Sequence, residues 1–410
     1  MTDGIDGANR RYNRAPMRAV YFDHNATTPL DPRVREAMLP WMSDDHGNPS
    51  SVHSFGRHAR EAVDAARETL ARNLGGVPHE YVFTASGTEA NNAVLFGLAH
   101  MALDSAKGLP GGSRGHLVMS AFEHPSILRA ADRLQATGVR VTRVAPSPNG
   151  LVDVAELIGS LEDDSFLVCL MLANNEVGTV QRVEEVARAC RERGVPVLCD
   201  AVQAIGKIPV QIEDLGVDYL TLGAHKFYGP TGAAALWVRK NSVFESYLVG
   251  GSQERRRRAG TENVPAVVGL GLALELAVAE LEERSAKTTG LRDRFERGLE
   301  AIGDVVIHSA QARRLPNTSN VAFLGVSADS LMIRLDLQGF AVSAGSACSS
   351  GKPEPPATLV AMGIEAVEAL SSLRVSFGPT NTEDEVDRFL EVLEREVGAL
   401  RELSAAAASQ

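Results

Sequence analysis

The chain has 410 residues, room for two or three folding units at roughly 150 residues each, and its 44% hydrophobic content suits a large buried core. Lys and Arg total 41 against 52 Asp and Glu, a formal net charge of −11, so the broad basic footprint of a nucleic-acid binder is missing. The longest uncharged apolar run, residues 264–274, is too short to span a membrane, and four scattered cysteines (Cys169, Cys190, Cys199, Cys348) make neither a disulfide framework nor a C-x-x-C metal pair.

These balances predict a cytoplasmic protein with no nucleic-acid, membrane or metal partner. In chain order, residues 1–17 alternate Gly, Asp, Asn and Arg without an apolar core, which excludes a signal peptide and predicts disorder. Residues 18–31 are expected to join a smaller domain formed later in the chain. Val63, Ala66, Leu70 and Leu74 share one helical face, which Gly75-Gly76 ends. Apolar runs at 81–83, 117–119, 166–172, 195–198 and 233–238 then alternate with helical spacing, as at 89–103 and 183–193. That order predicts parallel βαβ units and an α/β domain over residues 32–280, its sheet covered on both faces. After Asn263 a Leu/Ala/Glu stretch predicts helix to about Gly303, broken near Gly290. Strand-like runs at 319–324 and 374–377 and an amphipathic stretch at 383–400, acidic in its first turn, predict a smaller α+β domain over residues 281–403. A Gly/Ser/Pro-rich loop fills 344–356, and residues 404–410 are expected to fray.

Ligands of such sheets bind beyond the C-terminal ends of the strands, so polar residues just after apolar runs are the candidates. Thr84-Ala85-Ser86-Gly87-Thr88-Glu89 opens a helix, where backbone N–H groups and the Thr88 hydroxyl can hold a phosphate; an ordinary capping turn has the same pattern. Asn174-Asn175-Glu176-Val177-Gly178 offers side-chain amides to a polar ligand, or is simply a turn. Asp200 ends a buried run with Gln203 close by, and a buried carboxylate needs a cation, such as a protonated ring nitrogen, or a backbone cap. His225-Lys226 lies between a strand end and Gly229-Pro230, where a Schiff-base amine would sit, although a lone lysine is more often surface charge. A phosphate cradle, a carboxylate, amides and an amine are together the groups that pyridoxal phosphate requires.

Three features stand outside those four. Cys348 sits in Ser343-Ala344-Gly345-Ser346-Ala347-Cys348-Ser349-Ser350-Gly351, where a thiol can be exposed, whereas the other cysteines lie in apolar strands or on a helix. The loop is no phosphate-binding P-loop, because its spacing is one residue too long and Pro353 replaces the required Ser or Thr. His124 follows another strand of the same sheet and is a candidate for ring stacking and acid/base work, with a structural histidine as the bland alternative. Arg255-Arg256-Arg257-Arg258 is a solvated face, a phosphate neutraliser or a subunit contact.

These segments resemble the cysteine desulfurases, the NifS/IscS branch of the class V aminotransferase-like pyridoxal phosphate enzymes. The resemblance runs from Tyr21-Phe22-Asp23-His24-Asn25-Ala26-Thr27-Thr28-Pro29 to about Leu400. It takes in Gly47-Asn48-Pro49-Ser50-Ser51, Thr88-Glu89-Ala90-Asn91-Asn92, Glu123-His124, Asp200-Ala201-Val202-Gln203, Gly260-Thr261-Glu262-Asn263 and Gly345-Ser346-Ala347-Cys348. It implies the α/β architecture of PLP fold type I: a large domain with a mostly parallel seven-stranded sheet plus a smaller α+β domain, in a homodimer. The implied activity removes sulfur from L-cysteine, giving L-alanine and a persulfide on Cys348 for a sulfur-acceptor protein, an iron–sulfur scaffold or a thiolation protein. By the same resemblance Lys226 carries pyridoxal 5'-phosphate as an imine, Asp200 pairs with its ring nitrogen, and His124 stacks on the ring. Gln203 and Asn175 address the ring hydroxyl. Gly87, Thr88 and His225 hold the phosphate together with the partner subunit's Thr261, and Arg374 clamps the substrate carboxylate with Asn48 nearby. One departure is Gly223-Ala224, where the family often has Ser-Gly before the His-Lys pair, so one phosphate hydroxyl is missing. The competing readings are a selenocysteine lyase, a transaminase of the same fold, or a sulfur-relay scaffold without catalysis. Cys348 argues against the transaminase, and the intact Lys226, Asp200 and Cys348 set argues against the scaffold.

Overall fold

The computed structural model describes residues 19–105, 115–345 and 354–408. The disorder expected of residues 1–17 and the position of Cys348 both lie outside the described residues. The chain opens with β1 (Val20–Tyr21), then builds β2 (Tyr81–Thr84), β3 (His116–Ser120), β4 (Arg140–Val144), β5 (Ser165–Cys169), β6 (Val197–Asp200), β7 (Tyr219–Gly223) and β8 (Ala234–Val238). The last seven form one sheet in the order β2-β8-β7-β6-β5-β3-β4, parallel except for β8, which runs antiparallel to both neighbours. The link from β7 to β8 is too short for a covering helix, so the chain can only double back. Every residue of β2, β3, β6, β7 and β8 is buried, which is why these strands are so apolar in sequence. β4 went unpredicted because it is an edge strand, and its Arg140 and Arg143 keep that edge soluble.

Helices on both faces fix the sheet. The Ser54–Leu74 helix buries Val63, Ala66, Leu70 and Leu74 against the apolar Val264–Ala279 helix. It also sends Arg67 inward to a fully buried pair with Glu254, at 2.8 and 2.7 Å. Glu254 in turn accepts from Phe83 N at 2.9 Å, so one ion pair pins β2. Glu254, Arg255 and Arg256 all adopt positive φ (47°, 57° and 63°), a strained run for residues with side chains, and this buried anchor holds it.

The predicted break near Gly290 falls instead at Glu280, where the Val264–Ala279 and Leu281–Gly298 helices meet at 72°. Glu280 receives Arg33 and Arg284 at 2.5 Å each, while Gly290 is exposed inside an unbroken helix, where the cost of glycine is small. Among the described residues no single helix is long and apolar enough to cross a membrane.

Beyond the bend, β9 (Val305–Ile307), β10 (Thr318–Phe323) and β12 (Ser372–Ser376) form an antiparallel sheet in the order β12-β10-β9. Phe295, Phe323, Phe377 and Phe389 make its core with Phe22 of the N-terminal segment. β1 pairs in parallel with β11 (Phe340–Ala341), so residues just after 19 belong to this smaller unit before the chain crosses to the large sheet. The last helix runs Glu383–Ala408, in keeping with the high helix propensity of its alanines, so the described part of the tail continues it.

Candidate active site

Because β2, β3, β5, β6 and β7 are parallel, the loops after them converge on one edge of the sheet. A cavity of about 460 Å³ opens there, and its walls include Gly87, Thr88, His124, Asn175, Asp200, Gln203, His225, Lys226 and Arg374. Gly87 is the first residue of the Gly87–Ser105 helix, whose N-terminal N–H groups carry a partial positive charge. Arg258 ties the first turn of this helix through Glu89 at 2.7 Å, so the last arginine of the run braces the helix, and none of the four lines the cavity. Asp200 is turned by two bonds, from Val202 N at 3.0 Å and from Asn91 Nδ2 at 2.8 Å. His124 caps the Pro125–Ala136 helix, its Nδ1 facing Ser126 Oγ at 2.8 Å, which leaves the other ring nitrogen for the cavity.

Lys226 Nζ donates to the backbone oxygens of Asn25 and Ala26, both at 2.6 Å. Burial and the Arg374 charge pull its amine down to about 8, so a neutral amine is accessible near physiological pH. Burial also holds His124 below the ordinary imidazole range and, with the neighbouring lysines, pushes His225 down to about 4. Both rings are therefore neutral at pH 7. Arg374 projects from β12 and is buried, with Glu176 and Asp23 each at 2.7 Å.

Two expected residues stand elsewhere. Asn48 is exposed and spends its side-chain oxygen on the Ser50 N–H at 2.9 Å, closing a local turn away from the cavity. Thr261 is also exposed and does not line the cavity of its own chain. Cys348 falls outside the described residues, although the strand-like segment before it is fixed: Ser343 and Arg374 exchange backbone hydrogen bonds at 3.1 and 2.7 Å.

The class-V aminotransferase profile matches residues 20–389. The cysteine desulfurase IscS of Dictyoglomus turgidum is 41% identical over 388 residues, 94% of this chain and 96% of its own length. The chain belongs to the class-V aminotransferase family, in its NifS/IscS cysteine desulfurase branch. A solved NifS-like protein superimposes with a TM-score of 0.86 at 37% identity, covering 93% of this chain and 99% of that one. SspA, solved in complex with cysteine, matches at a TM-score of 0.77 and 33% identity over 88% of this chain and 100% of its own. Class-V aminotransferases depend on pyridoxal 5'-phosphate.

Within this family site, five positions escaped the sequence reading of roles. Asn25 is a hub: its side chain donates to Asn175 O at 3.1 Å and Thr318 Oγ1 at 2.9 Å, and its carbonyl receives both Gln203 and Lys226. Asn91 steers Asp200. Glu176 and Asp23 hold Arg374, and Lys207 stands behind Gln203. For Lys207 a signal existed: a lysine in Ile205-Gly206-Lys207-Ile208 is flanked by core residues, not by a surface pattern.

Proposed function

We propose that the chain is a pyridoxal 5'-phosphate-dependent cysteine desulfurase, converting L-cysteine to L-alanine and passing the sulfur through Cys348 to an acceptor protein. The observation that carries this is the meeting, in one cavity, of a depressed amine at Lys226, a fixed carboxylate at Asp200 and the open end of the Gly87–Ser105 helix. This donor set fits the cofactor. A dianionic phosphate suits the helix N-terminus with Thr88 and His225, a pyridinium suits Asp200, and an aldehyde suits Lys226.

Bound there, the cofactor would supply a protonated ring able to take up electron density from the substrate α-carbon. The protein's own groups do the rest. Asp200, held by Asn91 and the Val202 N–H, keeps the charge that favours ring protonation. The Lys226 amine, when free, would be the base for the substrate α-proton. His124, which lines the cavity, would lie against a bound ring and, held below the ordinary imidazole range, could take the proton of a thiol. Arg374 orients the substrate carboxylate by its planar fork. The Cys348 thiolate would form the new S–S bond as the substrate C–S bond breaks, the bonding pair staying with the substrate β-carbon, which takes up a proton and leaves as alanine, with the persulfide on Cys348. Thr261, exposed and outside its own cavity, suits a contribution to a second copy's phosphate site in a homodimer. The lack of a membrane-spanning helix among the described residues accords with a cytoplasmic enzyme.

The test follows alanine, sulfide and the mass of the Cys348 peptide after mixing the purified protein with cysteine. Cys348→Ser should keep the visible imine band and stop turnover, whereas Lys226→Ala should lose the band and activity by a thousandfold or more, about the upper range for a positioned base. A serine variant that forms alanine at the normal rate would remove Cys348 from the reaction. A protein that binds no cofactor and releases no alanine would remove the proposal altogether.

A further inference from the structure

Lys207 is the most unusual basic group of the described site. It is buried, yet among the described residues its amine donates only to neutral oxygens, Asn25 Oδ1 at 2.8 Å and Gln203 Oε1 at 2.7 Å. Burial and the nearby Lys226 and Arg374 charges all act against its protonation. Keeping a long amine in such a place is costly, and an apolar side chain would fill the space without that cost. The arrangement therefore calls for a role that a hydrophobe could not fill.

The geometry identifies that role. An amine hydrogen-bonded to two carbonyl-type oxygens acts as a donor in either protonation state. With Gln203 Oε1 held by Lys207 and one Nε2 hydrogen given to Asn25 O at 3.0 Å, the amide has a single orientation. Its second Nε2 hydrogen is left for the cavity that Gln203 lines. The same amine fixes Asn25, whose backbone carbonyl is the partner of Lys226. We propose that Lys207 is a positioning residue for the imine chemistry at Lys226: it locks the Gln203 amide with its N–H toward the cavity, as a donor to the cofactor's ring oxygen. This inference rests on the reading that pyridoxal 5'-phosphate is held on Lys226.

The consequence can be measured without turnover. A donor on the ring oxygen draws off negative charge beside the imine, so the imine releases its proton at lower pH. With Lys207 replaced, Gln203 can turn its oxygen to the cavity, and the imine holds its proton to higher pH. The other charges facing Lys226 stay constant across the variants: Asp200 at the end of β6, Asp23 in the N-terminal crossing, Glu176 after β5, and Arg374 on β12. The rings of His124, His225 and His24 also face the lysine pair and remain in place.

The experiment is a pH titration of the visible imine band in the substrate-free holoenzyme. Lys207→Met should move the midpoint up by one pH unit or more, and Gln203→Leu should do the same. The double variant should move it no further, since both act through one hydrogen bond. Lys207→Gln, which keeps an N–H donor without the charge, should stay within half a unit of the wild type. Lys207→Leu serves as the second apolar replacement where the methionine variant does not fold. An unshifted apolar variant, a double variant whose shifts add in full, or a glutamine variant that shifts like methionine would each overturn the proposal. Absence of any Lys226-dependent imine band in the wild type would instead overturn the underlying functional reading.

Discussion

The two walls of the cavity are built on different plans. The wall made by the large sheet presents Asp200, His124 and Lys226, held by near neighbours after their own strands, by Asn91 of the Gly87–Ser105 helix and by the N-terminal crossing segment. The opposite wall presents Arg374, and both of its forks are already taken by Glu176 and Asp23, which come from distant parts of the chain. The first wall is preformed, with polar groups satisfied and one face left for a ligand. The second is already engaged at both terminal nitrogens, with only Nε unpartnered, so an incoming carboxylate must share or displace Glu176 or Asp23 to gain them.

Arg374→Gln should give the largest contrast between the walls. It removes a charge-assisted contact to the substrate, so KM for cysteine should rise about tenfold to a hundredfold. It also strands the fully buried Glu176 and costs about 3–5 kcal/mol of stability, seen as a lower denaturation midpoint. Arg374→Lys should rescue neither effect, since an ammonium cannot serve two carboxylates in the fork geometry. If KM and stability both stay at the wild-type values, the two-wall contrast fails.

Gly223→Ser sharpens the contrast from the other side. The backbone there is extended, at φ −137°, and an added Cβ would meet only Val202 and His225 at 3.6–3.9 Å, ordinary contacts. A preformed wall should accept the hydroxyl without adjustment and bind the phosphate more tightly. Cofactor loss on dilution should slow by severalfold, up to about tenfold for one good hydrogen bond. Faster loss would mean that the wall has less room than the contacts indicate.

The smallest effect is a pH dependence of stability. Glu123, buried behind His124, accepts from Ser120 Oγ at 2.5 Å and Met171 N at 2.9 Å on one oxygen, while its other oxygen has no partner. Burial pushes this carboxyl up to about 8. The unfolded chain ionises it above about 4.5 and the folded chain only above about 8, so its contribution to stability falls as pH rises through that window. Glu123→Gln keeps the accepting oxygen and removes the titration. The melting temperature of the variant relative to wild type should rise between pH 5 and 8 and level off above, and a flat difference would show that Glu123 does not hold its proton.

Much of the first wall was legible in the sequence because strand ends in a parallel sheet are marked twice, by an apolar run and by the polar residue that follows it. Asp200, His124, Asn175 and His225-Lys226 each carry that mark. Arg374 lies within a strand run of the smaller sheet and was placed only through family resemblance, and its carboxylate partners left no local sign at all. Asn25 and Lys207 were missed for a related reason, as their roles depend on contacts across 182 and 201 residues of chain. The helix break was misplaced because glycine is a local signal, whereas the bend at Glu280 is held by Arg33, 247 residues earlier.

Composition, hydrophobic period and the order of motifs sufficed for the alternating α/β plan and the chemistry-bearing side chains, since those depend on residue type and on spacing along one strand or helix. The tertiary structure alone decided which groups face each other: the reversal of β8, the crossing of the N-terminal segment onto the large sheet, the double pairing of Arg374 and the amine lock on Gln203. The N-terminal crossing, the Arg374 pairs and the Lys207–Asn25 contact join segments far apart in the chain, and hydrogen bonds and ion pairs act over a few ångströms of space, whatever the distance along the chain.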